Sequence, residues 1–280
     1  MRYFHIHSII PIIVAIYAGS CFHGSSRARI SEKVAFQLED NASCVISNGG
    51  IIRGDTSSKH IALVFTGDEF ADGGEYIISV LKDDDIKASF FLTGNFYRNP
   101  AFRSLVNNLK KEGHYLGSHS DRHLLYCDWI RRDSLLVTKE EFLDDLRNSY
   151  RELEKINISR DKARFFLPPY EWYNDSISEW TKEAELQLVN FTPGTLSTAD
   201  YTFPETGARY FDSQSIYNSI LDYEKNSRNG LNGFILLLHI GTDPRRTDKF
   251  YFYLPSLLKE IKKRGYRFVR IDELPGISLN

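Results

Sequence analysis

A chain of 280 residues with a hydrophobic fraction of 42% is long enough for one large domain with a substantial core, which excludes disorder as its default state. Lys plus Arg total 35 and Asp plus Glu total 37, leaving a formal net charge of -2 with no long run of one sign, a balance that argues against a nucleic-acid partner. Aromatic residues make up 14% of the chain; such rings fill cores and also stack on sugar faces.

At the amino terminus Arg2 precedes an apolar run over 9–17, and the small residues Ala18, Gly19 and Ser20 precede Cys21. The run is about half the ~20 residues needed to span a bilayer, and Pro11 interrupts it. Residues 1–21 read as an export signal with a lipoprotein-type cysteine, so that Cys21 carries a lipid anchor and the protein faces the periplasm or the cell surface. Ordinary signal cleavage with loss of Cys21 is the alternative. Cys44 and Cys127 remain in the exported part, and their spacing does not say whether they pair.

Residues 22–58 are polar and irregular and read as a tether followed by a small elaboration. From Lys59 to the end, short runs rich in β-branched and aromatic residues alternate with amphipathic stretches, the pattern of repeated β-α units in one catalytic-size domain. Strands are expected at 61–65, 88–92, 115–118, 164–167, 186–189, 234–238 and 266–269, and helices over 74–82, 100–111, 139–156, 176–184, 212–226 and 248–264. Thr138 and Glu141 open the third helix with a capping box. Parallel strands separated by helices form either an open doubly wound sheet or a closed barrel, and periodicity does not choose between them.

In both architectures ligands collect beyond the carboxyl ends of the strands. Five such ends carry unusual residues: Asp68 and Glu69 after the first expected strand, His119-Ser-Asp-Arg-His123 after the third, Pro168-Pro169-Tyr170-Glu171 after the fourth, a segment leading to Asp200 after the fifth, and His239 after the sixth. Two histidines four residues apart can hold one divalent ion, with a carboxylate from another strand end completing an open catalytic site. Of Asp68 and Glu69, one can bind metal while the other serves as base. His239 is either a core histidine or a general acid. Trp129, Trp172 and Tyr173 either wall a sugar-binding cleft or pack internally.

In its order, the series of a two-carboxylate turn, His119-Ser-x-x-His123, Leu167-Pro168-Pro169-Tyr170 and Leu237-Leu238-His239 resembles the polysaccharide deacetylases with a NodB-homology domain, as a divergent branch. The resemblance implies a deformed (β/α) barrel of about seven parallel strands over residues 59–280. It also implies one divalent metal, commonly zinc, bound by His119, His123 and Glu69, with Asp68 as catalytic base. Tyr170 then contributes its backbone N–H to the oxyanion of the tetrahedral intermediate, His239 protonates the leaving group, and Asp200 orients His239. Leu167 stands where the family has an arginine that holds the base, and Arg122, Arg164 and Arg245 are the candidate replacements. The activity implied is hydrolysis of N- or O-linked acetyl groups on a poly- or oligosaccharide. Two rival readings are a carbohydrate-binding protein that has lost turnover on this scaffold and a hydrolase of non-sugar amides.

Overall fold

A computed structural model describes residues 44–277. The expected export signal over 1–21, Cys21 and most of the expected tether lie outside the described residues.

The described chain forms strands β1 (Val45–Ser47), β2 (Gly50–Arg53), β3 (His60–Gly67), β4 (Ser89–Leu92), β5 (Tyr115–Ser118), β6 (Phe165–Phe166), β7 (Gln187–Leu188), β8 (Phe234–His239) and β9 (Arg267–Val269). Its α-helices are α1 (Gly74–Asp83), α2 (Gly94–Arg98), α3 (Arg103–Lys111), α4 (Lys139–Lys155), α5 (Asp175–Glu183), α6 (Ser213–Asn226) and α7 (Leu254–Lys263). The sheet order is β1-β2-β8-β3-β4-β5-β6-β7. Strand β9 runs parallel to the first half of β3, whose second half pairs with β4. All seven expected strands are present, and they are mutually parallel.

The sheet curls because alternate residues of each long strand meet different layers. In β3 and β8, Ala62, Val64, Ile235 and Leu237 face the interior with Phe91, Phe165 and Leu167, whereas Ile61, Leu63, Phe65, Leu236 and Leu238 pack outward against the helices. Strand β2 links the two sides of the curl: Arg53 pairs with Phe234 of β8, and Ile51 bridges to Val189 just beyond β7. The result is a deformed, partly open barrel of mostly parallel strands.

The elaboration expected over 22–58 therefore contributes strands to the sheet itself, since residues 45–53 form a hairpin. Its turn is Asn48-Gly49, with φ of 44° and 76°, the left-handed pair that a two-residue hairpin requires. Helix α4 starts at the expected capping box and buries a stripe of Phe142, Asp145, Leu146, Ser149, Tyr150 and Leu153. Two polar residues in that stripe, Asp145 and Ser149, are fully buried and serve the site described below. Cys44 and Cys127 are both free thiols.

Candidate active site

The carboxyl ends of β3, β4, β5, β6 and β8 converge on one rim, to which the loop after β5 contributes both histidines. Ser120 and His123 both take left-handed backbone, with φ of 73° and 57°, a conformation that persists only where neighbours hold it. Ser120 Oγ accepts from the His123 N–H at 3.0 Å, while the Gly94 and Asn95 N–H groups donate to the carbonyls of Ser120 and Asp121. From beneath, the Asp145 carboxylate accepts from the N–H of Asp121 at 3.0 Å, the N–H of Arg122 at 3.2 Å and the Tyr126 hydroxyl at 3.2 Å. Ser149 meets Ser118 hydroxyl to hydroxyl at 2.6 Å.

This scaffold brings the Nε2 atoms of His119 and His123 to 3.3 Å. The Leu167 carbonyl can only accept, so His119 donates from Nδ1 at 2.8 Å, and the Nε2 of the neutral ring carries a lone pair. Burial pulls His119 well below the usual imidazole range, and nearby His123 adds to this. His123 is also lowered by burial, against the opposing charge of Asp68. Two neutral imidazoles converging in this way fit a divalent cation, since tetrahedral zinc with bonds of about 2.05 Å sets its ligand atoms about 3.3 Å apart.

Asp68 turns inward, where its Oδ1 accepts from the Thr93 hydroxyl at 2.7 Å. Thr93 is itself fixed as the N-cap of α2, accepting from the Phe96 N–H. A neutral hydroxyl thus holds Asp68, and none of the three candidate arginines pairs with it: Arg122 pairs with Asp145 and Arg245 with Asp243. Leu167 is buried in the barrel interior and contributes only its carbonyl.

Glu69, expected at the metal, is exposed and lines an outer groove with Phe70, Asp72, Phe102 and Lys249. The structure does not bring it to the histidines, because Asp68 takes the inward position at this turn. Among the described residues no three His, Cys, Asp or Glu side chains already surround one point. The carboxylate that does approach is Glu171, with Oε1 3.8 Å from His119 Nε2 and a side chain only 14% exposed. Burial pushes its pKa up to about 7, with His239 opposing and Asp200 adding to the rise.

His239 ends β8. Its ring donates from Nδ1 to Asp200 Oδ1 at 2.6 Å, and its backbone N–H donates to Asp200 Oδ2 at 2.8 Å. Burial alone lowers the imidazole, but the charge and hydrogen bond of Asp200 outweigh it and the net shift is upward. The Tyr201 ring covers His239 at 5.0 Å between centroids. The Tyr170 ring lies 4.3 Å from that of His123, and Trp129, half exposed, lies 5.6 Å from both Tyr170 and Trp172. Trp172 is covered in turn by the Arg132 guanidinium at 4.1 Å.

One expected wall residue is corrected. Tyr173 is 1% exposed, and its hydroxyl donates to the Ser47 carbonyl, so it anchors the β1–β2 hairpin and does not face the cleft. The sequence reading passed over Thr93 and Asp145, and it named Glu171 after Tyr170 without giving it a role. Thr93 directly follows the apolar run of β4, and Asp145 with Ser149 interrupts an otherwise apolar helical stripe; both signals were available.

The family model described as polysaccharide deacetylase matches residues 53–189. A peptidoglycan-N-acetylglucosamine deacetylase from Bacillus cereus is 28% identical over 219 residues, covering 78% of this chain and 89% of that one. The fold is similar to Bacillus subtilis PdaA, a family 4 carbohydrate esterase, with a TM-score of 0.62 at 23% identity, over 81% of this chain and 85% of that one. It is also similar to a family 4 pseudoenzyme from Bacillus anthracis, with a TM-score of 0.61 at 21% identity, over 84% of this chain and 70% of that one. The motif order, the deformed barrel and the family match lead to one assignment: the chain belongs to the polysaccharide deacetylase family.

Proposed function

We propose that this protein is a metal-dependent hydrolase that removes acetyl groups, N- or O-linked, from a poly- or oligosaccharide. The observation that carries the reading is a pair of held acid–base groups whose charges both reach His123: Asp68 held by Thr93, and His239 held by Asp200. His119 and His123 would hold a divalent ion, zinc by the chemistry of these donors. When bound it supplies positive charge that polarises an acyl carbonyl and acidifies water.

The chain's own residues do the rest. Asp68 takes the proton of the attacking water, while Thr93 keeps the accepting oxygen in place. His239 gives its proton to the departing sugar amine or hydroxyl, and Asp200 favours the protonated ring before transfer. The Tyr170 backbone N–H aids the oxyanion, and the exposed rings of Tyr170, Trp129 and Tyr201 offer faces to the sugar, with Trp172 supporting Trp129. The Bacillus cereus relative's named activity on N-acetylglucosamine of peptidoglycan favours an acetylated amino sugar as substrate.

A second reading, a binding protein that has lost turnover, draws on the Bacillus anthracis pseudoenzyme, on outward-facing Glu69 and on Leu167. The intact Asp68–Thr93 and His239–Asp200 pairs favour the enzyme. Acetate release from a panel of N- and O-acetylated oligosaccharides, with chelator and then with zinc restored, tests the choice. Chelator-sensitive release is expected; silence across the panel with stoichiometric bound zinc would overturn the enzyme reading. Export and an anchor at Cys21 belong to the same proposal, tested by labelled palmitate incorporation that is lost in Cys21→Ser.

A further inference from the structure

We propose that Glu171, and not Glu69, is the carboxylate that completes the metal-ligand set with His119 and His123; this rests on the metal-dependent reading above. Three observations carry it. The first is proximity: Glu171 Oε1 stands 3.8 Å from His119 Nε2, whose partner nitrogen on His123 is 3.3 Å away. A tetrahedral zinc site sets ligand atoms about 3.3 Å apart, so Glu171 stands about half an ångström beyond that spacing from His119 and must turn further towards His123 to complete the set. Among the described residues no other carboxylate comes within 4.0 Å of His119 or His123.

The second is backbone construction. Tyr170 and Glu171 are consecutive left-handed residues, with φ of 58° and 53°, directly after the rigid Pro168-Pro169. Each costs roughly 1 kcal/mol in a residue other than glycine, so the surroundings must enforce the turn. They do: the Glu171 N–H donates to the Pro168 carbonyl at 3.1 Å, and Asn190 Nδ2 donates to the Glu171 carbonyl at 2.7 Å. The same strand end fixes His119, through the Leu167 carbonyl. One rigid segment therefore orients the histidine ring and delivers the carboxylate beside it.

The third is the contrast with Glu69, which is exposed and directed to the outer groove. The Glu171 side chain is by contrast enclosed, only 14% exposed, beside His119.

The test measures zinc directly. Purified protein is stripped with chelator, and zinc affinity is read by competition with a chromophoric chelator, beside the visible spectrum of the cobalt-loaded protein. Wild type is expected to bind one equivalent and His119→Ala to lose it. Groups that only support a ligand cost about 10–100-fold in affinity, so Glu171→Gln is expected to lose more than about 100-fold and to change the cobalt spectrum. Glu171→Asp, which keeps the charge, should recover part of the affinity, and Glu69→Gln should bind zinc as wild type does. Circular dichroism of each variant confirms folding. Retained affinity in folded Glu171→Gln, or loss in Glu69→Gln alone, overturns the assignment of Glu171 and leaves the metal-dependent reading standing. Absence of zinc binding by the wild type overturns both.

Discussion

Glu171 makes a prediction that needs neither substrate nor metal. Burial holds its carboxyl in the folded chain at about 7 instead of 4.5, so the folded state binds this proton more tightly than the unfolded state does. The stability it contributes is fully present below pH 4.5 and is lost as pH rises through about 7. At about 1.4 kcal/mol per pH unit, the gap between those two values is worth about 3 kcal/mol, a ceiling because the burial is not complete. Replacing Glu171 with the uncharged, equally large Gln should therefore stabilise the chelator-stripped protein at pH 8 by up to about 3 kcal/mol, and by less than about 1 kcal/mol at pH 4.5. In a domain of this size that is a melting-temperature rise of roughly 6–12 °C at pH 8. Thermal and guanidinium unfolding of both proteins at the two pH values, in excess chelator, measure it. Equal stability of the two proteins at pH 8 would refute the claim that a charged Glu171 is buried at a cost. Adding zinc should reverse the order, since only the wild type then gains a full ligand set.

His114, with Nε2 unpartnered and its Nδ1 accepting from the Ala88 N–H, is held at about 4 by burial and by Lys87. The unfolded chain thus binds the extra proton first, and stability should fall by about 3 kcal/mol as pH drops from 6.5 to 4. Denaturant titrations of His114→Asn should show that part of the acid loss removed. Asp145→Ala leaves the N–H groups of Asp121 and Arg122 and the Tyr126 hydroxyl without their acceptor, at about 1–3 kcal/mol each. Chemical denaturation should read a loss of 3 kcal/mol or more by that reckoning, and zinc titration a weakened site, with Asp145→Asn milder in both. A Cβ at Gly241 would stand 2.4 Å from Phe70 C and from Ala71 N. Gly241→Ala should therefore cost about 1–3 kcal/mol and lower acetate release by shifting the turn that carries Asp68, both readable on one purified sample. Asp200→Asn should move the alkaline limb of the activity profile to lower pH, because the shift that keeps His239 protonated depends on that charge.

The central strands were legible because they are buried on both faces and read as unbroken apolar runs. Residues 61–65 and 234–238 are the clearest cases, and they became the paired centre of the sheet. What was not legible is local. The hairpin at 45–53 was masked by Asn48, Gly49 and Gly50, which read as loop residues although an Asn-Gly turn between short apolar runs is also the strongest two-residue hairpin signal. Helix α2 spans five residues, fewer than two turns, so no 3.6-residue period had room to show.

The candidate site divides along the same physical line. His119 and His123 were readable because their separation is set within one loop, and Asp200 with His239 because both follow strand ends in the expected order. The carboxylate beside the histidines depends instead on which way adjacent side chains turn, and adjacency in sequence carries no information about that. Asp68 and Glu69 are neighbours, yet one is tied inward by Thr93 and the other lies in solvent. Glu171 arrives from a different strand, through two left-handed residues that nothing in its own composition announces. The proposed ligand set, assembled from two strand ends, is thus fixed by backbone dihedrals at Ser120, His123, Tyr170 and Glu171 together. Substitution at Ser120 or Tyr170 by a residue less tolerant of positive φ, such as Tyr170→Val, should therefore disturb zinc affinity although every donor atom is retained.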